Sequence, residues 1–209
     1  MTIYCLLIVG NQQNMKFTEE FLKDLINANV VGDTIPFKTG KISKVESYIT
    51  TIIGRIQDDR RLIVEPDYQY YGSGFASYVN VRISQKDRSD TKITREGSER
   101  TEWIKGLLLY LSNLSPYWYY GGSEWTITYE NDTWKGGSSS FLRPEDIHHI
   151  DQGIWSNTIY AIKELMGDYG YRLLTEEELE ERVWFETTIP TVLADKPYEV
   201  FDCFFYWED

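Results

Sequence analysis

Basic residues are scarce in this sequence, and so are the residues on which most reaction chemistry relies. Twenty-one lysines and arginines stand against 33 aspartates and glutamates, a formal charge of −12. A field of that sign repels phosphate, so nucleic acid is not expected as a partner. There are two cysteines, Cys5 and Cys203, and two histidines, His148 and His149. No Cys-x-x-Cys or Cys/His spacing occurs, which removes zinc knuckles, and the cysteines read as buried thiols in apolar runs. They could lie near each other if the first and last strands are neighbours. No apolar run approaches the ~20 residues that cross a bilayer. The opening stretch, MTIYCLLIVGNQQ, lacks the basic start and small-residue cleavage site of a secretory signal. It reads as a first strand over residues 3–9, and the expected location is the cytoplasm.

Catalytic motifs are missing as well. Gly72-Ser73-Gly74 lacks the lysine and third glycine of a phosphate cradle. There is no G-x-S-x-G elbow, and neither cysteine has a histidine near it in sequence. His148 and His149 share a predicted helix with Glu145, Asp146 and Asp151, and residues three apart share a face. Adjacent histidines project about 100° apart on a helix, however, so they do not chelate one ion, and solvated side chains are the favoured reading. Asp58-Asp59, Glu65 with Asp67, and Asp168 could supply paired carboxylates for glycoside chemistry, but none has diagnostic spacing. Neither a metal nor a cofactor is expected, and the leaning is away from an enzyme.

Aromatic residues are abundant. Sixteen Tyr, seven Trp and nine Phe occur in 209 residues, and 42% of the chain is hydrophobic. That is enough to bury a full core, so residues 1–209 are expected to form one domain. KGGSSS at 135–140 is the one linker-like stretch and a candidate subdomain boundary.

The chain is expected to be built around residues 101–130. Trp103, Ile104, Leu107, Leu108, Leu109 and Leu111 cover most of a helix circumference and predict a buried helix that Ser115 and Pro116 end. Residues 117–120 then read as a strand, Gly121-Gly122 as a tight turn, and 125–130 as the partner strand. Apolar spacing predicts further helices over 17–28, 41–56 and 144–167, the last opening at Pro144. Thr175 with Glu178 forms a capping box for a short acidic helix. Strands are expected over 62–65, 76–85, 183–187 and 200–207. In the 76–85 strand Asn80, Arg82 and Ser84 form a wet face. The elements do not alternate strictly, which gives an α+β fold: a mainly antiparallel sheet with about four to five helices packed on it.

Two surfaces stand out. Tyr117, Trp118, Tyr119 and Tyr120 are consecutive in a strand and must project to both faces; with Trp125 they offer aromatic contact area. Residues 176–209 hold eleven carboxylates against Arg182 and Lys196, which leaves that segment at −9 and the first 175 residues at −3. Glu177, Glu181, Glu208 and Asp209, with Trp184 and Trp207, could steer a basic protein. The favoured expectation is therefore a non-enzymatic, acidic protein-binding module. In general character the chain is similar to bacterial immunity or inhibitor proteins that neutralise basic toxins or nucleases. That similarity covers no defined motif and carries no residues over. The alternative is a small-molecule or carbohydrate site, with hydrolysis as one form of it, lined by Tyr68, Tyr70, Tyr71, Trp118 and Trp125.

Overall fold

A computed structural model describes residues 16–69, 72 and 74–209. The expected strand over residues 3–9, and Cys5 with it, lie outside the described residues. The fold is α+β, with a mainly antiparallel sheet in a single body.

The organising element is a strand hairpin rather than a helix and a hairpin. β5 (Glu99–Ser112) and β6 (Tyr117–Glu130) are 14 residues each and stay paired from Glu99↔Glu130 to Leu111↔Trp118. The predicted helix over 101–112 is thus a strand. An apolar run on every side of a helical wheel is also what a strand buried on both faces looks like. Leu107, Leu109 and Leu111 point to one face, here called the back, and Leu108 and Tyr110 to the front; all five are buried.

The remaining strands build outward from this pair. β1 (Leu62–Asp67) pairs with β3 (Tyr78–Gln85), and β3 pairs with the second half of β5. β4 (Thr91–Glu96) pairs with the first half of β5, so β3 and β4 lie end to end along one edge of it. Pro66 falls within β1 without ending it; among the described residues β1 is the outermost strand on that side, a position where a missing N–H is tolerated. On the far side of β6 lie β7 (Thr133–Ser139), antiparallel, and the two-residue β8 (Arg172–Leu173), parallel. Most of the 135–140 stretch therefore belongs to β7.

Gly121 and Gly122 lie inside β6, not in a turn. A 3-10 turn, Pro144–His149, crosses the edge of β6 there. A Cβ on Gly121 would stand 2.6 Å from Leu142 Cδ1, and one on Gly122 would stand 2.7 Å from the His149 carbonyl. These glycines admit a crossing backbone, the second use of glycine in a strand.

Helices cover both faces. α2 (Ile42–Gln57) and α3 (Gln152–Asp168) bury Ile49, Ile53, Trp155 and Ile162 against the back. α1 (Glu19–Ile26) and α5 (Val200–Phe204) bury Leu22, Leu25, Val200 and Phe204 against the front. The expected wet face of β3 is largely covered too: Asn80 and Ser84 are buried and Arg82 is half-buried. The expected helix over 144–167 is split, because Asp151 caps a fresh start by accepting from Gly153 N at 2.9 Å. Residues 200–207, read as a last strand, form α5 followed by β9 (Trp207–Glu208), which pairs with β2 (Phe75–Ala76). Residues 183–187 form no strand, and a single bridge, Arg182↔Glu199, marks that passage. The Thr175/Glu178 capping box opens α4 (Glu176–Leu179) as expected.

Candidate functional site

The C-terminal carboxylates do not share one fate. Glu178 is buried and accepts from Thr175 N and Arg172 Nη2, both at 2.9 Å, with Lys16 Nζ at 3.4 Å. Burial pushes its pKa up, but those partners outweigh it and the carboxyl ends below its ordinary value. It holds α4 in place. Glu176 meets His148 Nε2 at 2.9 Å.

A second group converges at the surface. Glu199 and Asp202 open α5, with Glu199 N donating to Asp202 Oδ2 at 2.8 Å. Glu145 on the 3-10 turn and Glu180 at the end of α4 lie near enough to act on Glu199. Burial first, then the charges of Asp202, Glu180 and Glu145, hold the Glu199 carboxyl above its ordinary value, with Arg182 acting the other way. Burial likewise raises Asp202, against the hydrogen bond from Glu199 N. A cavity of about 380 Å³ opens here, with Glu145, Asp195, Glu199 and Asp202 on its walls, Phe205 among its lining and Arg143 as its one base. Phe141, also on its wall, stacks on Trp207 at 6.2 Å between ring centroids.

Of the residues singled out in the sequence, Glu177, Glu208 and Asp209 are exposed, Glu181 and Trp207 are half-buried, and Trp184 is 37% exposed. They have different neighbours. Trp184 packs edge-on against Phe185, whose ring lies under Lys23 of α1, while Trp207 sits at β9 beside Phe141. The aromatic run is mostly core. Trp118, Tyr120 and Trp125 are buried and offer nothing to a partner; Tyr117 is half-buried, with Arg172 over its ring. Trp118 faces back and Trp125 front, so these two do not line one pocket of the alternative site, whose Tyr68 is exposed. Tyr70 and Tyr71 lie outside the described residues.

A second cleft, of about 490 Å³, opens where β7 leaves the edge of β6. His149 Nδ1 stands 3.1 Å from Asp146 Oδ1, and Ser123 and Ser140, 3.3 Å apart at Oγ, line the same cleft. This is the base-and-orienter half of a nucleophilic site. Among the described residues no hydroxyl is hydrogen-bonded to His149 Nε2. The expected grouping of Glu145, His148 and Asp151 does not form either: His148 turns to Glu176, and Asp151 caps α3. Among the described residues no cluster of His, Cys, Asp or Glu is arranged to hold a metal ion, and no helix is long and apolar enough to cross a membrane.

No protein-family model matches the chain, and no curated protein or solved structure is significantly similar to it. The acidic group rests on its own geometry.

The sequence singled out Glu177 and Glu181, which are not part of this group, and not Glu145, Asp195, Glu199 and Asp202 as a set. The Glu199-x-x-Asp202 spacing was a readable helix-start signal. The approach of Glu145, some 50 positions earlier, left no trace in the sequence.

Proposed function

We propose that this protein is a non-enzymatic docking module whose acidic shoulder, formed by Glu145, Glu180, Glu199 and Asp202, engages a basic segment of a protein partner. The observation that carries the reading is the convergence of carboxylates on one cavity, where Glu145, Asp195, Glu199 and Asp202 share the wall with Arg143 as the one basic residue lining it, and Glu180 acts on Glu199 from beside it. They come from three separate segments; Asp202 is raised by burial, and Glu199 by burial first and then by the charges of Asp202, Glu180 and Glu145, which marks a negative potential at Glu199. A lysine or arginine side chain entering that cavity would offset that potential and meet Phe141 at the rim. The same potential disfavours nucleic acid.

The test is fluorescence anisotropy with a labelled arginine- and lysine-rich peptide and an acidic control of equal length. Binding of the basic peptide alone is expected, weakening roughly tenfold between low and physiological salt and again on Glu145→Lys or Glu199→Lys. Equal binding of both peptides, or binding indifferent to salt and to both reversals, would remove the proposal.

A further inference from the structure

The front face of the sheet is covered by α1 and α5 only over its inner half. Beyond Gly106 it runs on as β4 to β7, and among the described residues no helix packs on that part. Glu65 of β1, Arg82 of β3, Tyr129 and Ile127 of β6 and Trp134 of β7 all border one hollow of about 400 Å³. The strand register places all five side chains on the front: Glu65 opposes Arg82, Arg82 opposes Leu108, and Trp134 opposes Tyr129.

Three features of this hollow are independent of one another. Trp134 is 69% exposed, although it sits on an outer strand where a bare indole invites unwanted pairing. Arg82 is half-buried and makes no ion pair among the described residues, even with Glu65 directly across the ladder. The neighbouring guanidiniums are already engaged: Arg88 and Arg100 clamp Glu102, and Arg100 also lies 4.3 Å over the Tyr129 ring. The hollow thus presents a flat apolar plate, a free planar donor and a free carboxylate acceptor around a space the size of a sugar ring or two.

We infer that this hollow binds a neutral saccharide. The C–H face of a pyranose stacks on Trp134, one hydroxyl pair accepts from Arg82, and another hydroxyl donates to Glu65. An anionic ligand would meet Glu65 and a cationic one Arg82, so a neutral ring with both donors and acceptors satisfies the two together. Glu65 is the one carboxylate bordering the hollow, whereas cleaving a glycosidic bond takes a pair, so the site holds its ligand without hydrolysing it.

The experiment is isothermal titration of the full chain with four neutral hexasaccharides (cellohexaose, maltohexaose, mannohexaose and xylohexaose), a hexauronate and a nucleoside. At least one neutral hexamer is expected to bind. Trp134→Ala should weaken it by about tenfold, and Arg82→Ala and Glu65→Gln by several-fold each. Glu145→Lys, at the acidic shoulder, should leave saccharide binding unchanged, so failure here and failure of the docking proposal are read separately. Trp134 is exposed, so its removal should leave the far-ultraviolet circular dichroism unaltered. Absence of binding by all four neutral sugars, preference for the uronate or the nucleoside, or binding that survives Trp134→Ala would each overturn the inference.

Discussion

Glu102 is 1% exposed, yet it lies in the outer half of β5, where most neighbours face water. Arg88 Nη1 reaches it at 2.6 Å and Arg100 Nη1 at 2.8 Å. A carboxylate withdrawn from water is tolerable only when its lone pairs are met, and removing one partner leaves the others uncompensated. Glu102→Ala is therefore expected to destabilise the protein by about 3 kcal/mol. Urea denaturation checks this, and Glu99→Ala, which removes a partly exposed pair with Lys135, should cost less than ~1 kcal/mol. A Glu102 loss no larger than the Glu99 loss would mean that the guanidiniums find other partners. Gly106, four residues on, lets the Trp125 ring lie directly over the strand, because a Cβ there would collide with it.

At the scale of elements, the 3-10 crossing at Gly121-Gly122 joins the two faces of the molecule. It carries the chain from Leu142 on the front to α3 on the back, and it occupies the stretch of β6 edge between β8 and β7. Gly122→Ala would press a methyl group into the His149 carbonyl, which is backbone and cannot rotate away. The expected cost is about 2 kcal/mol, at the level of overpacking a core. The same change at Gly136, where a Cβ meets nothing, should be within ~0.5 kcal/mol of neutral. Thermal melts of the two variants side by side are the measurement, and equal melting temperatures would refute the crossing's role. At the start of α3, Asp151→Ala removes the acceptor for Gly153 N and should cost about 1 kcal/mol.

For the whole molecule the dominant fact is uneven charge. The fold gathers part of it where Glu145, Glu180, Glu199 and Asp202 meet, and it holds the Glu199 carboxyl above its ordinary value. A carboxyl raised in the folded state favours folding while protonated. That contribution is complete below its unfolded value of about 4.3 and is lost as pH rises through the higher folded value. Glu199→Gln, neutral at every pH, should therefore melt above the parent protein at pH 7. The advantage should close as pH falls below the unfolded value. Melting curves from pH 3.5 to 7.5 decide it, and a variant less stable at pH 7 would show that Arg182 outweighs the three acids. Glu178 behaves in the opposite sense: its lowered carboxyl stabilises at neutral pH and loses that contribution as acid protonates it.

Local patterns determined much of this protein. The apolar stripes of α1, α2 and α3, the Thr175/Glu178 box, the alternation of β3 and the −9 tail are all set by residues within a few positions of one another, so they could be read directly. Tertiary structure decided the rest, wherever one local pattern fits two environments. The leucines of 107–111 suit a buried helix as well as a strand covered on both faces, and only α2 on one side and α5 on the other select the strand. Gly121-Gly122 suits a turn until a second backbone crosses it. Trp118 and Trp125 suit a surface until the sheet places them in opposite layers. The convergence of Glu145 with Glu199, and the meeting of Arg82 and Trp134 around one hollow, exist only once distant segments are folded together.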